Sequence, residues 1–82
     1  MTHFLGENKL KKFSNQLGVF FEKGREIGHE NGYIIYFLWN NFNKFALLIK
    51  KGKVLDFKRI PDEYKNNYEI RISSDNKLYL LI

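Results

Sequence analysis

Cysteine is absent, which excludes disulfide staples, thiolate zinc sites and a thiol nucleophile together. That fits a reducing compartment, and a cytoplasmic protein is expected. The chain also lacks an apolar run of membrane-spanning length and a basic segment leading into an apolar core, so neither a membrane span nor a signal peptide is expected. Proline occurs once, at Pro61, and no stretch reads as a linker, a repeat or a low-complexity tract. The two histidines, His3 and His29, are far apart and accompanied by no patterned carboxylates, which matches no metal-ligand spacing. No metal and no cofactor are expected.

Catalytic constellations are equally scarce. Gly24 and Gly28 have the spacing of a phosphate-loop fragment but not its Gly-Lys-Ser/Thr ending. His29, Glu30 and Arg25 form the only local group with the residue types for acid–base work on a phosphate. Neighbours in extended chain point apart, so no catalytic residue is assigned and no enzyme is expected. With 82 residues, a single domain spanning 1–82 is expected, one that its own burial stabilises only marginally.

What is present is concentrated in residues 33–59. Tyr33 to Trp39 is aromatic or β-favouring throughout, Phe45 to Ile49 is apolar, and Val54 to Arg59 alternates, all bounded by turn residues. This predicts an antiparallel meander. At Lys50-Lys51-Gly52-Lys53 a three-residue loop with Gly52 as a left-handed bulge would group Phe45, Leu47 and Ile49 with Leu55 and Phe57, and Ala46 and Leu48 with Val54, Asp56 and Lys58. Tyr33 to Trp39 adds large apolar groups to both faces and therefore needs cover on both sides.

Residues 1–7 read as a mixed entry with a turn at Gly6. From Asn8, a candidate N-cap, Leu10, Phe13, Leu17, Phe20, Gly24 and Ile27 fall at helical spacing, predicting an amphipathic helix from about Lys9 to at least Lys23. The competing reading ends the helix at Gly18 and makes Val19 to Glu30 a hairpin turning at Lys23-Gly24, with a further turn at Asn31-Gly32. Pro61 followed by two acids suits a single helical turn. Tyr68 to Ser73 and Lys77 to Ile82 read as a last hairpin, with a three-residue loop pairing Ile72 with Leu78 and Ile70 with Leu80. The expected fold is α+β: an N-terminal amphipathic helix packed on a four- to five-stranded antiparallel meander, with curling into a small barrel as the variant. One helix covers one face, so the other is expected to close on itself or to meet a partner, a homodimer included.

Charge supplies the candidate site. The chain carries a formal +5, and between Lys44 and Arg59 only Asp56 opposes Lys44, Lys50, Lys51, Lys53, Lys58 and Arg59, while charges elsewhere cancel. The candidate binding residues are Lys50, Lys51, Lys53, Lys58 and Arg59, with Trp39 and Phe42 as neighbouring aromatics that could stack on bases. The bland alternatives are a sheet edge kept soluble by lysine and aromatics that plug a turn. The Lys, Asn and Ile bias is that of AT-rich bacterial or phage genomes, whose small proteins are often inhibitors or accessory factors. A non-enzymatic binding protein with a protein partner is expected first, a nucleic-acid binder second. The helix-then-meander order is similar to that of small toxin ribonucleases, but no motif of theirs is present, and that reading comes third.

If the basic hairpin meets nucleic acid, three tip lysines releasing counterions give a log–log salt slope of about 3. Changing Lys50, Lys51 and Lys53 together to Glu is then expected to abolish binding to every sequence alike, as measured by gel shift across a salt series.

Overall fold

The computed structural model describes residues 3–82; Met1 and Thr2, which begin the expected mixed entry, lie outside the described residues. One helix, α1 (Glu7–Leu17), precedes a four-stranded antiparallel sheet of β1 (Lys23–Glu30), β2 (Tyr33–Trp39), β3 (Lys44–Lys50) and β4 (Lys53–Ile60) in simple meander order. A 3-10 turn, Asp62–Tyr64, leads to a separate two-stranded sheet of β5 (Glu69–Ile72) and β6 (Leu78–Leu81). The α+β class is as expected, and the sheet does not close into a barrel.

β3 organises the packing, because Phe45 through Ile49 are all buried and their side chains alternate between the faces. On the helix side, Phe13 and Phe21 meet Tyr36, Leu38, Phe45, Leu47 and Ile49. On the other side, Ala46 and Leu48 meet Ile60 and Leu78, with Ile35, Phe37, Tyr68, Ile70 and Ile72 around them. Leu38, Leu47, Leu48 and Ile60 are fully buried, each stabilising the fold by about 2 kcal/mol relative to exposure. The second face is thus covered by the chain's own C-terminal hairpin. The dimer expected through that face loses its premise, since Leu48 is already out of water. Leu81, on β6, is half exposed.

The helix is shorter than its spacing predicts. It starts after Gly6, with Asn8 already inside, and stops at Gly18, whose φ of 71° is left-handed and whose N–H bonds to the Ser14 carbonyl at 2.9 Å. Leu10, Phe13 and Leu17 keep their inward stripe, but beyond Gly18 the chain is extended. There Phe21 turns into the core while Phe20 is 71% exposed, the reverse of what helical spacing gives. The Phe21 N–H bonds to the Ser14 hydroxyl at 3.1 Å, which fixes the exit. The competing reading placed this helix end and the Asn31-Gly32 turn correctly. Lys23-Gly24 opens β1 instead of turning: a Cβ at Gly24 would overlap the buried Leu38 side chain and crowd Leu5 and Leu10, so a larger residue here requires that core to shift.

The β3–β4 register corrects the expected loop. Lys50 pairs with Lys53, and Lys51 and Gly52 both have positive φ, 51° and 77°, a two-residue turn. The extra residue is Leu55, bulged within β4, so Leu48 faces Asp56 while Ile49 faces Val54. Leu47 still shares a face with Phe57, but Val54 joins the helix-side core and Leu55 the other, an exchange relative to expectation. A second bulge at Ile27 interrupts β1. The last hairpin pairs Ile72 with Leu78 and Ile70 with Leu80 as expected, with Asn76 at φ 64° taking the left-handed position of the loop.

Two polar contacts fasten that hairpin to the sheet. The Asp56 carboxylate accepts the Leu78 N–H at 2.7 Å and the Phe57 N–H at 3.0 Å, and the Tyr33 hydroxyl donates to Asn76 Oδ1 at 2.7 Å. Asp56→Ala is expected to lower stability by about 1–3 kcal/mol, because a partly buried N–H loses its acceptor. Asp56→Asn, which keeps one acceptor, is expected to recover part of this. Urea denaturation reads the loss, and amide exchange is expected to rise first in β6.

Candidate functional site

The structure divides the predicted site between the two ends of the sheet. β3 is seven residues long, so Lys44 and Lys50 lie about 20 Å apart. Lys50, Lys51 and Lys53 cluster at the β3–β4 turn. Lys58 and Arg59, exposed on β4, sit at the other end, paired with Ala46 and Phe45. Trp39 and Phe42 belong to that end too, not beside the basic tip as expected. The register requires this, since the β2–β3 loop and the β3–β4 loop lie at opposite ends of β3.

Lys50 is not a free finger. Its Nζ lies 4.3 Å from the Tyr33 ring centroid, and Tyr33 is itself tied to Asn76 of the last hairpin. Lys51 and Lys53 remain exposed. Trp39 is half-buried, edge-on to Phe4 at 6.3 Å and tilted against Phe37 at 5.3 Å, so it serves as packing for the sheet end and not as a free stacking platform. Arg25, His29 and Glu30 all line one open groove beside β1, but no hydrogen bond or ion pair joins them: Arg25 pairs with Phe37 and His29 with Ile34, neighbours of opposite parity on β2, and Glu30 pairs with Tyr33 at the far end of the strand. Among the described residues no group of three potential metal-ligating side chains comes together, and no helix is long and apolar enough to cross a membrane.

The far end carries the feature that helical spacing hid. Phe42 is 82% exposed at the tip of the β2–β3 loop, and Phe20 is exposed in the segment between α1 and β1. One side chain holds both backbones. Asn40 Oδ1 accepts the N–H groups of Phe42 and Asn43 at 2.8 and 2.9 Å, while Asn40 Nδ2 donates to the Phe20 carbonyl at 2.7 Å. The Asn40 N–H bonds to the Asn43 carbonyl at 3.1 Å, and the Glu22 N–H to the Trp39 carbonyl at 2.9 Å, closing the frame. Exposed phenylalanines on a loop cross-braced in this way are presented to solvent with little backbone freedom left to lose. Lys44 follows the loop and is exposed. In sequence, the available signal was Asn40-Asn41-Phe42-Asn43, where an asparagine that can close a turn with its own side chain precedes a lone aromatic.

Compared with protein-family models, curated proteins and solved structures, the chain finds no match in any of the three.

Asn40→Ala removes three side-chain hydrogen bonds at once. It is expected to cost about 1–3 kcal/mol and to raise amide exchange at Phe42, Asn43 and the 19–22 segment, leaving β3 and β6 protected. Hydrogen exchange followed by NMR checks it; unchanged protection at Phe42 would remove the bracing role.

Proposed function

We propose that this chain is a small non-enzymatic binding protein, an inhibitor or accessory factor, whose partner is a protein engaged through the Phe20–Phe42 end. The observation that carries the reading is the Asn40 frame holding two exposed phenylalanines. Exposed aromatic rings on a rigid support are the usual anchors of protein interfaces, because each buries a large apolar area and pays little ordering entropy. The apolar half of the expected interface thus moves from the sheet face, which β5 and β6 cover, to this end. Lys44, Lys58 and Arg59 on the adjoining strands give its surroundings a positive field that speeds encounter with an acidic partner. The absence of cysteine supports a cytoplasmic setting.

Nucleic acid stands as the second reading, favoured by the exposed Lys51 and Lys53 and by the overall +5 charge. Its weakness is economy: two phosphate contacts give only weak, salt-sensitive binding, and a phosphate backbone has no use for Phe42.

The expected outcome separates the two. In affinity capture followed by binding kinetics on the recovered partner, Phe20→Asp with Phe42→Asp is expected to weaken binding more than about tenfold through faster dissociation, and Lys51→Glu with Lys53→Glu to leave dissociation unchanged. Tight binding to random-sequence DNA or RNA, lost in the lysine variant and kept in the phenylalanine variant, would overturn the proposal.

A further inference from the structure

β1 and β5 do not pair, and between them lies an open groove of about 610 Å³, within the range of small-molecule sites. Its floor is apolar, formed by Ile35 and Phe37 of β2 and by Ile70 of β5. At one end the half-buried Arg25 guanidinium lies 5.4 Å from the Phe37 ring centroid, beside Lys44 and the Tyr68 side chain. Among the described residues Arg25 has no carboxylate within ion-pair reach, while Glu69, on the groove's rim, is already paired with Arg71. Glu30 lies five residues along β1 from Arg25, toward the opposite end of the strand. The groove is therefore polarised, cationic at one end over an apolar floor.

From this we infer that the groove binds a small molecule made of a carboxylate head on an aromatic or branched apolar body. The head meets Arg25 and the Tyr68 hydroxyl, and the body lies on Ile35, Phe37 and Ile70. A guanidinium held over an aromatic ring, with no ion-pair partner among the described residues, keeps donors free for a carboxylate, so little reorganisation precedes binding. Burial raises the Tyr68 hydroxyl above its ordinary value and the Arg25 charge offsets part of that, so the group is a neutral donor near pH 7 and Arg25 faces no phenolate to neutralise it. A neutral apolar ligand would leave that cation without a partner, which selects for the acid. The site shares Lys44 with the surroundings of the Phe20–Phe42 end but neither phenylalanine, and it goes beyond the protein-binding reading.

The test is an NMR titration of the isotope-labelled chain with indole-3-acetate and, in parallel, with the uncharged indole-3-ethanol. Saturable shifts are expected at the amides of Arg25, Gly28, Ile35 and Ile70 with the acid, with the alcohol binding about tenfold more weakly. Arg25→Gln is expected to abolish that preference, and Tyr68→Phe to reduce it. Lys44→Gln, a change at an exposed side chain that leaves the core untouched, tests the same charge should Arg25→Gln fail to fold, and is expected to weaken the acid alone. Absence of saturable groove shifts at millimolar acid, or an acid preference that survives in a folded Arg25→Gln variant, would overturn the proposal.

Discussion

Burial of β3 on both faces is the constraint from which the rest of the molecule follows. A strand with five consecutive buried residues has no side that water can wet, so this chain must supply two covers. The helix side receives aromatic residues: Phe13 packs 5.1 Å from Tyr36 between ring centroids, and Phe21 stands edge-on to Phe45 and Phe57 at 5.6 and 5.9 Å. The other side receives aliphatic ones from β5 and β6 around Leu48 and Leu78. Two short strands alone are marginal in water, and this pair is held because its inner face completes a core and Asp56 satisfies the first N–H of β6. The sole acid among the basic residues 44–59 is thereby structural.

Most of the strands were legible in the sequence because apolar alternation and turn chemistry agree there. Ile70 and Ile72 against Leu80 and Leu78 could be paired from spacing alone, and the need of Tyr33 to Trp39 for two covers was equally plain. The helix end was not legible, since Phe20, Gly24 and Ile27 continue the helical spacing of Leu10, Phe13 and Leu17. What overrides that pattern is tertiary: the left-handed Gly18, the Ser14 hydroxyl held by Phe21, and the fit of Gly24 against Leu38. The β4 register was half legible, because a bulge in the strand brings Leu47 and Phe57 together as well as a bulged loop does. That Ile70 and its neighbours would lie on the sheet's second face, and not extend its edge, is a long-range fact that no local pattern carries.

The candidate site was legible as residues and not as a place. Composition located the positive charge on one hairpin, yet a hairpin has two ends, and strand length alone keeps its lysines in separate fields about 20 Å apart, beyond the screening distance of physiological salt. The two groups therefore present separate positive fields to solvent. Trp39 shows the complementary error: a large aromatic near basic residues reads as a stacking platform until its neighbours Phe4 and Phe37 are seen to occupy it. Arg25 was legible only as a member of a local polar group with His29 and Glu30; its place over the Phe37 ring follows from the β1–β2 pairing, which local spacing does not carry.

The two bulges bear on how this molecule behaves at high concentration. Ile27 and Leu55 lie in β1 and β4, the outer strands of the four-stranded sheet, while the β2–β3 pairing between them is regular. An extra residue twists an outer strand and breaks the even row of N–H and C=O groups that another chain would need in order to zip onto it. Both long borders of a small, aromatic-rich sheet are thus poor templates for fibril growth.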